Sequence, residues 1–236
     1  QRPEKIGHLQ AAAAVGQMGL VQTYETSFKR FNRQTAPILL NHDDMANRER
    51  YLNARSTLQT LLSHSVIPIV NENDTVVTDE IRFGDNDRLA AIVANLLDSE
   101  VLVILTDQEG LFDSDPKRND KACLISEAQS DDNHLDGAAA GGNTSIGRGG
   151  MLTKLQAARQ AANSGCSTII AGGFFDKIIT RIAEGKKVGT HLTTTKKPLT
   201  ARKKWLAGQL QVRGTLHLDA GASEVLMQDG RSLLAV

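Results

Sequence analysis

Four short apolar runs, at residues 37–40, 66–70, 101–105 and 167–171, are separated by longer stretches with helical spacing. Residues 3–33 read as a helix with an alanine run at 11–14. Residues 47–64 place Tyr51, Ala54, Leu58, Leu61 and Leu62 on one helical face. Leu89, Ile92, Val93, Leu96 and Leu97 follow the i, i+3, i+4, i+7, i+8 pattern, and the spacing predicts a further helix over 150–164, stopped by Gly165. Short β-branched runs alternating with helices predict an α/β fold: a three-layer αβα sandwich whose sheet is mainly parallel, with about five or more strands. The runs end in Asn41-His42-Asp43-Asp44, Asn71-Glu72-Asn73-Asp74, Thr106-Asp107 and Gly172-Gly173. Ligands of open parallel sheets bind beyond the carboxyl ends of the strands, so this edge is the expected site.

Two regions break the pattern. Residues 117–149 are rich in Asp, Asn, Gly and Ser and read as a long mobile loop. From about residue 197, the basic clusters Lys196-Lys197 and Arg202-Lys203-Lys204 read as a linker. Residues 213–236 then read as a strand at 215–218, a helix at 222–227 and a strand at 233–236, too few residues for a core of their own. The expected organisation is a domain over 1–196, a linker over 197–212 and the start of a second domain over 213–236.

Composition narrows the function. The formal net charge is zero, so any anion site must be local, and nucleic acid or an anionic membrane is not the expected partner. No apolar run approaches the roughly 20 residues that span a bilayer. Gln1-Arg2-Pro3-Glu4 carries no apolar signal region. The two cysteines, Cys123 and Cys166, lack metal spacing and suit a reducing cytoplasm. The six histidines are scattered, without an HExxH or HxH pair, so a histidine metal site is not expected.

Three segments carry candidate chemistry. Gly147-Arg148-Gly149-Gly150-Met151-Leu152-Thr153-Lys154 joins a glycine loop to a helix start. Glycines let backbone N–H groups approach an anion, and the helix N-terminus favours one. Lys154, in the first turn, can reach a transferring phosphoryl group. The spacing is not that of a Walker A loop, and the bland alternative is a flexible loop with a solvated lysine. Thr106-Asp107-Gln108-Glu109-Gly110-Leu111-Phe112-Asp113-Ser114-Asp115-Pro116 combines a strand end with two turns. Thr106 and Asp107 can bond a ribose, a base or a phosphate-bound water; a plain surface turn explains the segment equally well. The third segment pairs Asn71-Glu72-Asn73-Asp74 with Gly84-Asp85-Asn86-Asp87. Its carboxylates can clamp an amino group while Asn side chains and backbone N–H groups take carboxylates. Asn86 or Asp87 also serves as an expected cap for a helix beginning near Arg88.

The order NEND, GDND, TDQEGLFDSDP, GRGGMLTK resembles that of the glutamate 5-kinase branch of the amino-acid kinase family, over roughly residues 3–208. NEND with GDND is the part that points to glutamate. The last residues, 213–236, resemble the start of a small β-rich PUA domain. The resemblance implies ATP-dependent phosphorylation of the γ-carboxylate of L-glutamate in proline biosynthesis, with Mg²⁺ as the accompanying ion and its ligands unassigned. It implies that Asp74 and Asn86, with Asn71, Asn73 and Asp85, bind glutamate. Asp87 would orient the catalytic lysines without acting as a base. Thr106 and Asp107 would line the nucleotide site. Arg148, Gly149, Gly150, Met151, Leu152, Thr153 and Lys154 would wrap the ATP phosphates, with Lys154 stabilising the phosphoryl group in flight. Arg148 stands where the family usually has Thr. The resemblance further implies a cytoplasmic homo-oligomer, a dimer or tetramer, inhibited by proline at the glutamate site. It also implies an opening strand with a Lys and a Gly-Thr-Ser loop, then a Ser-Gly-Ala turn, which this sequence lacks. The expectation is therefore a partial sequence or a polypeptide inactive by itself. Two rival readings stand beside it. One is a related kinase acting on aspartate, acetylglutamate or a nucleoside monophosphate; the other is a non-catalytic glutamate- or proline-binding module.

Overall fold

Helix α4 (Asp85–Leu96) carries two faces, and the architecture is organised around it. Leu89, Ile92 and Leu96 project from one face into a cluster with Leu40, Met45, Tyr51 and Leu58. Ala91 and Ala94 face the other way, into a cluster with Ala157, Ala158 and Ala161 of α6 (Met151–Ala162). Small side chains on both partners let the two helix backbones pack closely. In this computed structural model, residues 5–76, 85–116, 118–140, 150–195 and 221 are described.

The two faces of α4 correspond to two sheets. Strand β1 (Thr35–Leu40) pairs in parallel with β2 (Ile67–Glu72), with Leu40 opposite Glu72. Their cover includes α1 (Ile6–Lys29), against β1, and α3 (Arg48–Ser63), against β2. The turn between β1 and α3 holds the short α2 (His42–Ala46). Asn47 caps α3, its Oδ1 accepting from the N–H groups of Glu49 and Arg50. The second sheet has the order β3–β5–β6–β4. In it β3 (Val101–Thr106) and β5 (Ser167–Gly172) are parallel, with Thr106 opposite Gly172. β4 (Glu127–Gln129) and β6 (Thr190–Thr193) are parallel, while β5 and β6 run antiparallel. Helix α4 contacts β2, β3 and α6, and so joins the sheets.

The expected α/β fold with mainly parallel strands is found, in two sheets among the described residues rather than one of five or more strands. The predicted mobile loop at 117–149 needs correcting. Phe112 bridges Leu124, β4 follows, and α5 (His134–Ala140) packs on α6. Arg159 of α6 ties this stretch down, donating to the carbonyls of Ser130 and Asp132 and to both carboxylate oxygens of Asp136. A polar composition therefore did not mean a loose chain, because one arginine supplies the partners. Gly141 to Gly149, the linker and the PUA-like region lie outside the described residues, Gly221 apart.

Helix α7 (Ile178–Ala183) and the turn through Gly189 lead into β6. Gly189 has φ +69°, and a Cβ there would run into the Ile170 carbonyl. Only glycine fits that reversal. Leu62, grouped by spacing with the buried face of α3, is 48% exposed, while Tyr51 and Leu58 carry the contact.

Candidate active site

Packing α4 against α6 brings their N-terminal turns together, and with them Asp87 and Lys154. Lys154 Nζ donates to Asp87 Oδ2 at 3.0 Å. Thr153 Oγ1 lies 2.9 Å from the same oxygen and 2.8 Å from the Gly150 carbonyl. A hydroxyl has one proton, so Thr153 can serve only one of these acceptors at a time. The Lys154 and Asp87 side chains are 13% and 17% exposed, and so sit at the mouth of the site rather than in bulk water. Helix α4 starts at Asp85, three residues before the expected Arg88. Asn86 and Asp87 therefore belong to its first turn instead of capping it. A carboxylate in that turn is favoured by the helix dipole, and here it is also the acceptor for a lysine.

Helix α6 begins on Gly150, which has extended backbone and no side-chain cap. The Thr153 N–H bonds the Gly150 carbonyl, and no side chain of the cap residue covers the helix start, an end that favours an anion. Met151 is buried in the core and Leu152 is exposed. Arg148 and Gly149 lie outside the described residues.

Beside this pair, the end of β2 carries an amide chain. Asn86 Nδ2 donates to Asn71 Oδ1 at 3.2 Å, and Asn71 Nδ2 donates to Gln17 Oε1 of α1 at 2.9 Å. The Asn73 N–H bonds the Leu40 carbonyl, and Asn73 Oδ1 accepts from Thr75. A cavity of about 210 Å³ opens here, lined by Gln17 and Leu20, by Leu39 and by residues 71–75, Asp74 among them. Asp85 contributes backbone to α4; its side chain lies outside the described set.

At the end of the second sheet, Thr106 Oγ1 donates to Asp107 Oδ1 at 3.1 Å, and the Gly173 N–H bonds the Thr106 carbonyl. Asp107 is exposed. The turn that follows is anchored from below: the Leu111 N–H donates to Thr190 Oγ1 at 2.8 Å in a buried position. A Cβ at Gly110 would crowd that same hydroxyl. The first and third of the predicted clusters thus meet through α4, while Thr106 and Asp107, from the second, stand at the neighbouring strand end.

The family profile described as "Amino acid kinase family" matches residues 2–172. The chain belongs to the amino acid kinase family. Relatives within it are much closer than the fold alone requires. The chain is 60% identical over 236 residues to a protein named Glutamate 5-kinase from Nitrosococcus oceani, and 59% identical over 235 residues to one of the same name from Pseudomonas fluorescens. All of this chain is matched in both, and it spans 63% of the length of each. Among solved structures, a carbamate kinase from Giardia lamblia superposes with a TM-score of 0.51 at 16% identity. That match covers 80% of this chain and 82% of the other. An aspartate kinase from Synechocystis also gives 0.51 at 16%, over 80% of this chain and 29% of its own length. At such identity these two speak for the fold.

Sequence reasoning passed over Gln17, Arg159 and Thr190. For Gln17 a signal exists: Ala13, Gln17 and Leu20 share one helical face, and a polar residue on such a face asks for a partner. Arg159 and Thr190 have no local signal, because their partners are 23–29 and 79 residues away.

Among the described residues no helix is long and apolar enough to cross a membrane, and no group of three His, Cys, Asp or Glu side chains makes a metal cage.

Proposed function

We propose that the full-length protein phosphorylates the γ-carboxylate of L-glutamate with ATP, giving L-glutamyl 5-phosphate, the first step of proline biosynthesis. The observation that carries this reading is the Lys154–Asp87 pair, set where two helix N-termini meet beside the residue 71–75 cavity. The naming of relatives near 60% identity supports glutamate over the other acceptors of the family.

The roles follow from chemistry. A carboxylate is already a nucleophile, so the site needs no general base, and catalysis is positioning plus charge neutralisation. Lys154 stabilises the phosphoryl group between its donor and acceptor oxygens. Asp87 fixes the ammonium's position. Asp74 takes the α-amino group; Asn86, with Asn71, Asn73 and Asp85, shapes the rest of the glutamate site. Thr106 and Asp107 hold the nucleoside end of ATP, and residues 148–154 its phosphates. The uncapped start of α6 on Gly150 fits that task. A divalent ion carried on nucleotide phosphates needs few protein oxygens, which fits Mg²⁺ in a chain whose described residues build no cage of their own. Bound there, ATP would supply the phosphoryl group, and Mg²⁺ would supply positive charge against its phosphates.

Proline is proposed as an inhibitor competing at the same cavity, the native form as a cytoplasmic homo-oligomer, and residues 213–236 as the start of a PUA-like domain. The test is ADP release by the full-length protein with glutamate, aspartate, N-acetylglutamate and UMP in parallel. Turnover with glutamate alone is expected. Turnover with one of the others and none with glutamate would transfer the site to a different member of the family.

A further inference from the structure

Gln17 is held by one end only. Its Oε1 accepts from Asn71 Nδ2, but its Nε2 is buried and makes no hydrogen bond. An unpaired buried donor is unfavourable and is rare in folded proteins unless something else supplies the acceptor. The residue also lines the cavity at the end of β2, together with Asp74.

The direction of the amide chain decides what is missing. Asn86 donates to Asn71, and Asn71 donates to Gln17. Each link uses an N–H on one side and a carbonyl on the other, so the chain ends on an N–H, that of Gln17. Two acidic residues, Glu72 and Asp74, are part of the cavity wall. That wall suits an ammonium group. A ligand that also carries a carboxylate needs a donor there, and Gln17 holds one.

We infer that Gln17 is a further substrate-binding residue, its Nε2 donating to the α-carboxylate of glutamate; this rests on the glutamate reading above. The assignment to the α-carboxylate follows from position. Neither Asp87 nor Lys154 lines this cavity, so the carboxylate bound in it is the one not being phosphorylated. The α-amino group, assigned to Asp74, sits on the same carbon and in the same cavity. The same contact leaves Gln17 Oε1 on Asn71, so one side chain ties the ligand to both clusters.

Two variants of the full-length protein test it. Gln17→Glu keeps an acceptor for Asn71 and removes the donor. Gln17→Met keeps the length and removes both. Loss of a hydrogen bond to a charged group corresponds to about a 10- to 150-fold change in affinity. Glutamate KM should rise at least about tenfold in both variants, while kcat and ATP KM stay within about threefold. A residue that served only the fold would move all three together, alongside the melting temperature. Unchanged glutamate KM in Gln17→Glu, with a rise in Gln17→Met, would mean that Gln17 acts only by holding Asn71, and would overturn the proposal. Wild-type protein that turns over another acceptor but not glutamate would overturn both this and the substrate assignment, and would be evident before any variant is made.

Discussion

Replacing Asp87 with Asn asks what the carboxylate does for Lys154. The change is isosteric and leaves an acceptor oxygen, but removes the charge. Of the two groups at Oδ2, Thr153 has a second acceptor in the Gly150 carbonyl at 2.8 Å. The loss therefore falls on Lys154, whose ammonium is 13% exposed and bonds Asp87 at 3.0 Å. Hydrogen bonds to charged groups are worth about 1.5–3 kcal/mol. Taking that as the loss of lysine positioning in the transition state, kcat should fall by roughly 10- to 150-fold. KM for glutamate should change little, because Asp87 does not line the cavity at residues 71–75. The assay is steady-state ADP release from the full-length protein, with glutamate and ATP varied separately. Lys154→Met and the double variant complete a cycle. If Asp87 acts through Lys154, the double variant should be no slower than Lys154→Met alone. Losses that multiply would refute the coupling and give Asp87 an independent role.

Other outcomes are as specific. Asp74→Ala should raise glutamate KM and weaken proline inhibition together, each by roughly 10- to 150-fold, with ATP KM unchanged; proline inhibition that holds while glutamate KM rises would remove Asp74 from the end shared by the two ligands. Leu58→Ala removes a side chain with 0% exposure and should cost about 2–5 kcal/mol in thermal or urea unfolding, whereas Leu62→Ala, at 48% exposure on the same helix, should cost under about 0.5 kcal/mol. Burial pushes the Cys166 thiol up to about 11, and Cys123 is exposed. Peptide mapping after brief thiol labelling at pH 8 should therefore find Cys123 modified and Cys166 not, until the protein is unfolded. Asp136 is held below its ordinary carboxylate value of 3.8 by the hydrogen bond from Arg159. Its contribution to stability is present above that value and lost as pH falls through the lower folded value, so wild type and Asp136→Asn should converge in melting temperature in strong acid.

Much of this molecule was legible as sequence because its information is local. The four apolar runs became strands β1, β2, β3 and β5, and the polar residues that end them sit at strand ends. The helix carrying Lys154 begins where its glycines place it. What escaped was long-range. The stretch after residue 117 looked loose because its polar composition does not name Arg159 as a partner. Strand β6 is four residues long, and its pairing with β5 reverses direction, which no alternation in a four-residue segment reveals. The division into two sheets is a property of pairing between distant strands. Gln17 was visible only as a polar residue on an apolar helical face. Its meaning came from Asn71, 54 positions away.

The central claim is that a glutamate carboxylate takes the phosphoryl group at Lys154. The most direct measurement traps that product. Full-length protein, ATP, Mg²⁺ and glutamate are incubated with hydroxylamine, which converts an acyl phosphate into a hydroxamate. The expected result is glutamyl 5-hydroxamate formed in step with ADP, both falling together in Lys154→Met. ADP released without hydroxamate, or hydroxamate formed at an undiminished rate in Lys154→Met, would contradict it.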